Sequence, residues 1–348
     1  MPVIGIRDQV RSWMFERALP FWAWNGIDSA DGGYVEQLTL DGRDAGVAFK
    51  RTRVTARQVY TFSHARVLGW DGGGDKAATG IDFLINRAWQ GPDKGFARTV
   101  SRKGEVIDPT PDLYDHAFAL FAFAWRHRAH RDMQSRDWMH RTLDFIETHM
   151  DHHALEASGE ARFAEASGRL VQLFQKRLLD RSTGMLPEYF TDDWRRVPGE
   201  EGRLVEPGHM MEWAWILNQA RKLIGADTAD DIRALAGLAE RIGVDPVSGI
   251  TYNAVRNDGT PLDKGSRTWP NTERIKAAVA LFELDGVDPA GVINEAGGLL
   301  LSRYLTRDPL GTWMDAFDAN GNDAARVVPA STLYHIFLAF AEVLRIAD

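Results

Sequence analysis

The sequence predicts an all-α protein, an (α/α)6 barrel in which an outer ring of helices encloses an inner one and short β-hairpins gather at one mouth. Three observations predict it. Apolar residues recur at helical spacing along most of the chain; the helical stretches alternate between two kinds, one with a wet face and one apolar on most sides; and five glycine-led segments punctuate the series.

The stretches near 5–19, 75–88, 133–148, 160–179, 228–243 and 289–305 mix charged and apolar residues, as Phe163, Leu170, Phe174 and Leu178 do against Glu165, Arg169 and Lys176. One face of such a helix meets water. The stretches near 52–69, 112–125, 209–220, 270–284 and 331–345, as in DLYDHAFALFAFAW and STLYHIFLAFAEVL, are apolar nearly all round and must be enclosed. Two concentric rings meet both demands. Between the helix pairs lie GYVEQLTLDGRD, GFARTVSRKGEVID, GMLPEYFTDDWRRV, GITYNAVRNDGTPLD and GTWMDAFDANGND, alternating runs with a polar turn that read as β-hairpins or extended loops. Their first glycines, Gly33, Gly95, Gly184, Gly249 and Gly311, stand 62, 89, 65 and 62 residues apart. Two repeats of about 63 residues should take about 126, so the long interval lacks about 37. Six pairs need twelve helices, and eleven are found. One inner helix and one hairpin are therefore expected to be absent near residues 150–154, where the wet helix ending at Met150 leads through DHHALEASGE into another wet helix.

At 348 residues, 44% hydrophobic and 26% charged, the chain reads as one globular domain over 1–348 with a large core. Cysteine is absent, which excludes thiolate zinc sites, disulfides and a cysteine nucleophile. A net charge of −8 argues against nucleic acid as the partner. The N-terminal stretch lacks the zones of an export signal and no uncharged apolar run reaches about 18 residues, so the expectation is a cytoplasmic protein without a membrane partner. No glycine-rich phosphate loop or dinucleotide fingerprint occurs, and no cofactor is expected. Small neutral ligands remain. Twelve tryptophans and seventeen phenylalanines mostly fill the core, with some left to stack on the apolar faces of sugar rings.

An enclosed helix should be apolar unless its end lines a cavity, so polar residues there are informative. They cluster near the N-terminal ends of the inner helices: Arg53, Arg57 and Gln58; Asp112, Tyr114, Asp115 and His116; Glu206, His209 and Glu212; Arg267, Trp269 and Glu273; Tyr334 and His335. Their meeting at one mouth would make a polar pocket with aromatic walls. Pro207 and Gly208 start a helix, which puts His209 in its first turn and Glu212 one turn on, where the carboxylate can orient the imidazole and hold it near neutrality against the helix N-terminus. Zinc spacings such as HExxH do not occur, so acid/base chemistry is preferred to a metal. His64, His127, His130 and His140 sit beside arginines or on wet helices and are read as solvated surface.

At these residues the sequence resembles the N-acylglucosamine 2-epimerase family of sugar isomerases and epimerases over nearly its whole length. RVTARQVY, PDLYDHAFAL, GMLPEYFTDDWRRVPGEEGRLVEPGHMMEWAWIL, RTWPNTERIKAAVAL and STLYHIFLAF carry the resemblance. It implies an (α/α)6 barrel, a substrate-binding arginine at Arg57, an acid/base histidine with its glutamate at His209 and Glu212, and a second acid/base histidine at His335. Tyr114, His116, Trp269 and Glu273 would contact the substrate. Family members carry a further inner helix with an MHLLEA-like motif just before the segment that EASGEARFAEA resembles, and its absence falls in the same gap as the long glycine interval.

The implied chemistry is proton transfer through an enediol. Histidine suits the proton step and arginine the developing oxyanion. EPGHMMEWAW is most similar to the mannose isomerase branch, so mannose–fructose interconversion leads, on a small-molecule monosaccharide and without a cofactor. The alternatives are an N-acyl-D-glucosamine or other sugar 2-epimerase, a non-catalytic sugar-binding relative, and a glycoside hydrolase using two carboxylates across the pocket, Asp112 or Asp115 with Glu212 or Glu273.

Overall fold

A computed structural model describes residues 4–72, 74–149 and 160–347. Among them stand eleven helices and ten strands of two or three residues. The helices with a wet face are α1 (7–25), α3 (76–88), α5 (Met133–His149), α6 (160–178), α8 (Ala229–Gly243) and α10 (290–304). The enclosed ones are α2 (Thr52–Val67), α4 (Leu113–His130), α7 (Pro207–Ile224), α9 (Thr268–Asp285) and α11 (Ala330–Ala347). Both sets fall where the hydrophobic pattern puts them. The largest difference is at α1, which runs past Pro20 to Asn25: the π-helical turn at Trp13–Ala18 widens the ladder just before the proline, which cannot donate its backbone bond.

The enclosed helices pack side by side, α4 on α2, α2 on α11, α11 on α9 and α9 on α7, and the wet helices lie against them from outside. Among the described residues α4 and α7 share no comparable interface. The gap expected near residues 150–154 lies outside the described residues. Helix α11 is apolar and long enough to span a membrane by length and composition, yet 83% of it is buried inside the fold and it carries Glu342 and Arg345, paired at 2.6 Å. Its apolar faces are core.

The strands are β1 (Gln37–Leu38), β2 (Phe49–Arg51), β3 (Thr99–Ser101), β4 (Val106–Asp108), β5 (Leu204–Val205), β6 (Ala254–Arg256), β7 (Pro261–Asp263), β8 (Ser266–Arg267), β9 (Ala316–Phe317) and β10 (Val328–Pro329). The glycine-led segments, expected as hairpins or extended loops, are both: β3–β4 and β6–β7 are hairpins, the other three turn back through single antiparallel bridges at Leu38–Asp44, Phe190–Arg196 and Phe317–Asp323, and β1–β10, β2–β3, β5–β6 and β8–β9 join strands of different loops. All pairs are antiparallel. The glycines earn their places: Gly33, Gly95, Gly184, Gly249 and Gly311 all have φ between 64° and 99°, a region that costs other residues strain. Behind Gly95 there is no room either, since a Cβ would stand 2.3 Å from His116 Nε2.

Strands β2, β5, β8 and β10 each run directly, or within one residue, into an enclosed helix, and β4 does so after four residues. The N-terminal ends of the enclosed helices are thereby brought to the mouth that carries the sheets. His64 departs from its expected place on the surface. Its ring stacks 4.0 Å from that of Trp125, its Nδ1 lies 2.8 Å from Tyr60 Oη, and burial pushes its pKa down to about 3. Arginine neighbours in sequence did not mean solvent here, because α2 is enclosed along most of its length and opens to solvent only at Arg66 and Val67.

Candidate active site

Seven of the eight residues singled out from the sequence meet at this mouth. Arg57, from the second turn of α2, donates from Nη2 to Tyr114 Oη at 2.5 Å and lies over the rings of Phe118 at 4.4 Å and Tyr334 at 5.1 Å. No described carboxylate pairs with it, and its Nε is buried without a partner. The His209 ring lies 4.8 Å from the centre of Trp269, and the His335 ring 5.5 Å from the same tryptophan. His335 Nδ1 is 2.8 Å from Glu273 Oε1. Glu212, Glu273 and His335 each bring one ligand atom within 4.8 Å of the others. Three enclosed helices thus supply the centre, and α2 and α4 the guanidinium and phenol beside it.

The partner of His209 is not the one expected. Its Nδ1 lies 2.8 Å from Glu188 Oε2 and 3.7 Å from Glu206, while Glu212 makes no hydrogen bond to it and faces Glu273 and His335 instead. Side chains in a first helical turn lean back toward the N-terminus, so His209 reaches the preceding loop rather than the next turn. Glu188 is doubly engaged, since its Oε1 accepts the backbone N–H of Glu206 at the start of α7. It stands in the GMLPEYF segment, 21 residues from the histidine, a separation at which no spacing rule could have joined them.

The two imidazoles differ in charge. Burial alone would lower the His209 pKa, but the hydrogen bond and charge of Glu188, with Glu212 and Glu206 behind it, hold it up to about 9. The expectation of a histidine poised at neutrality is therefore corrected: His209 is a cation at pH 7. His335 moves the other way. Burial pushes its pKa well below the usual range, and Arg57 adds to that against the pull of Glu212. One imidazolium and one neutral imidazole flank the same indole.

His116 is the residue that does not join them. It is fully buried behind Gly95, its Nε2 accepts the Phe96 N–H at 2.9 Å, its Nδ1 lies 2.8 Å from the Asp112 carbonyl, and its ring stacks on Phe145 at 4.6 Å. With both nitrogens occupied it holds a loop to a helix. Asp115 is structural too: wholly buried, it accepts from the Arg53 N–H at 2.9 Å and so caps α2 from outside. For a metal, Glu212, Glu273 and His335 are the candidate trio, but Lys276 already brings its ammonium 2.5 Å from Glu273 Oε2. That charge stands where a cation would have to bind. Nothing in the sequence singles out Lys276, which sits in the apolar run of α9. A depression lined by Phe62, Arg66, Trp70, Asp75 and His130 lies toward the other end of α2 and shares no residue with this site.

Helices in pairs around a mouth where two histidines of opposite charge state, an unpaired guanidinium and an exposed aromatic face converge define a sugar isomerase or epimerase. The chain belongs to the N-acylglucosamine 2-epimerase family, whose profile matches residues 33–160 and 153–339. It is 31% identical, over 96% of both chains, to a protein named mannose-6-phosphate isomerase from Rhizobium meliloti. Cellobiose 2-epimerase from Bacillus thermoamylovorans superposes with a TM-score of 0.84 at 20% identity, covering 98% of this chain and 99% of that one. A D-mannose isomerase structure gives 0.80 at 19%, covering 97% and 98%. The protein is a sugar isomerase or 2-epimerase, and its substrate is a sugar.

Proposed function

We propose that the protein interconverts mannose and fructose without a cofactor, with His335 as the base and His209 as the acid. The observation that carries this is the placement of two imidazoles about Trp269, each with its Nδ1 2.8 Å from a different carboxylate, Glu188 at His209 and Glu273 at His335. In the open-chain aldose, neutral His335 removes the proton from C2 while the imidazolium of His209 gives one to the carbonyl oxygen O1, and an enediol forms. Delivery of a proton from His335, exchanged with solvent, to C1 and loss of the O2 proton to His209 give the ketose, so both histidines end as they began. Arg57 stabilises the oxygen that is anionic at each transition state. Trp269 packs against the sugar face, and Tyr114 holds the guanidinium.

Free mannose is favoured over its phosphate by the charges at the mouth. Among the described arginines of the mouth, Arg53 is paired with Asp115, Arg98 with Asp112 and Arg267 with Glu206, so of these four only Arg57 lacks a carboxylate, and it is stacked among rings. A phosphate dianion would have to compete with a carboxylate at the other three. We also propose that the chain lacks one inner helix and one hairpin of the (α/α)6 barrel. Two features support this: the alignment with the Rhizobium protein is 373 positions long, longer than the 348-residue chain, and the two parts of the family match meet at residues 153–160.

Incubation with mannose in deuterium oxide, followed by NMR, tests the reading. Label at C1 of newly formed fructose is the expected result, with mannose 6-phosphate turned over at least about ten-fold less efficiently. Label at C2 of newly formed glucose would make the activity 2-epimerisation, and perturbed sugar signals without exchange would make the protein a binding relative.

A further inference from the structure

Lys276 is a charge with no structural use that its surroundings explain. Its side chain and that of Glu273 are both 0% exposed, one helical turn apart on α9. The ammonium touches Glu273 Oε2 at 2.5 Å, and beyond that it meets the ring faces of Trp215 on α7 at 4.8 Å and Tyr334 on α11 at 6.0 Å. Among the described residues no oxygen accepts a hydrogen bond from it, so its contact with Glu273 is an ion pair alone. Two apolar side chains of the same volume would pack this spot at least as stably as a buried ion pair. The pair does, however, end on something reactive: the other oxygen of Glu273 meets His335 Nδ1 at 2.8 Å.

We propose that Lys276 is a positioning residue that fixes the tautomer of His335 by keeping Glu273 ionised. An anionic Glu273 can only accept, so the His335 proton must sit on Nδ1, and Nε2 keeps the lone pair that a base requires. A protonated Glu273 would donate its proton to Nδ1, which moves the ring proton to Nε2 and removes that lone pair. Burial drives Glu273 toward the protonated form, and Lys276 is the chief influence opposing it. The remaining charged groups facing this trio are Arg57 from α2 and Glu212 and His209 from α7. The imidazolium of His209 adds a weaker pull on Glu273 than Lys276 does, and neither it nor Arg57 forms an ion pair with that carboxylate.

This inference rests on the isomerase reading for its kinetic consequence but not for its structural one, and the experiment separates the two. In protein labelled with 15N-histidine, the long-range proton–nitrogen spectrum reports which ring nitrogen carries hydrogen, and the His335 signals are assigned by their loss in His335→Gln. The wild-type protein is expected to show the Nδ1–H form at pH 7, and Lys276→Met the Nε2–H form. On mannose, Lys276→Met should lower kcat about 100-fold at pH 7 with KM little changed. The acid limb of its profile should rise by about two pH units, because Glu273 then loses its proton only at higher pH. An Nε2–H tautomer in the wild type overturns the proposal even if no variant folds. So does a folded Lys276→Met, or Lys276→Gln, whose tautomer and profile match the wild type. A wild type that exchanges no sugar proton but shows the tautomer switch removes the isomerase reading and leaves the role of Lys276 standing.

Discussion

Replacing Glu188 by glutamine tests the assignment of His209 as the acid most directly. The change keeps the shape of the side chain and an oxygen for the Glu206 N–H, and removes the negative charge 2.8 Å from His209 Nδ1. Glu212 and Glu206 remain, so the imidazole should not return fully to its ordinary value. Loss of one close opposite charge corresponds to about 1.5 units, from about 9 to about 7.5. At pH 8.5 the wild-type ring is then about three-quarters protonated and the variant's about one-tenth, so kcat/KM should fall about eight-fold there. At pH 6.5 both are protonated and the difference should shrink to less than about two-fold. Initial rates of fructose formation between pH 5.5 and 9.5 supply the profile. Stability should follow the same group. Its folded pKa lies above the unfolded value of about 6.5, so the pairing stabilises fully below that pH and is lost as pH rises through about 9. The unfolding midpoint of the wild type should decline across that window more than that of Glu188→Gln. A variant whose basic limb stays where the wild type has it would refute the argument.

Other expectations follow from the same geometry. His335→Asn should abolish deuterium incorporation at C1 of fructose, a loss of at least about 100-fold in kcat with sugar binding retained in titrations monitored by tryptophan fluorescence. Arg57→Lys keeps the charge but gives up the planar contact with Phe118 and Tyr334, and kcat should drop about 100-fold or more in the same assay. His116→Asn should leave kcat within about three-fold while lowering the melting temperature, since both ring nitrogens serve backbone groups. Gly95→Ala should destabilise by about 2–4 kcal/mol in denaturant unfolding, because the φ of 64° strains a side chain and the new methyl meets His116 and Phe145.

Much of this fold is legible in the chain because it is periodic. A helix enclosed by others has no polar face to hide, and a loop that must turn left-handed needs glycine, so α9 and Gly249 announce themselves. The site is legible to the extent that its residues interrupt an apolar run: Arg57, His209, Glu273 and His335 stand out for that reason. What stays hidden is partnership. Glu212 is one turn from His209 and seemed its natural partner, yet the backward lean of helical side chains gives that place to Glu188 from a loop. His116 looked like its neighbours in the motif, but only the fold reveals that its face of α4 meets Gly95 and not the mouth. Lys276 is not legible because a lone lysine among apolar residues resembles one that snorkels to water, and the enclosure that denies it water is a property of three helices together.

The pairing of β1 with β10 has a further consequence. Gln37 lies opposite Pro329 and the Ala330 N–H bonds to the Glu36 carbonyl, while Trp22 stacks on Trp313 at 5.1 Å. The earliest loop is thus zipped to one of the last, and the helix that follows the zip is the one bearing His335. During synthesis no early fragment can seal itself. The enclosed helices before α11 must wait for neighbours made later, with apolar faces unguarded meanwhile, and catalytic competence can only arrive with the final turn of the ring.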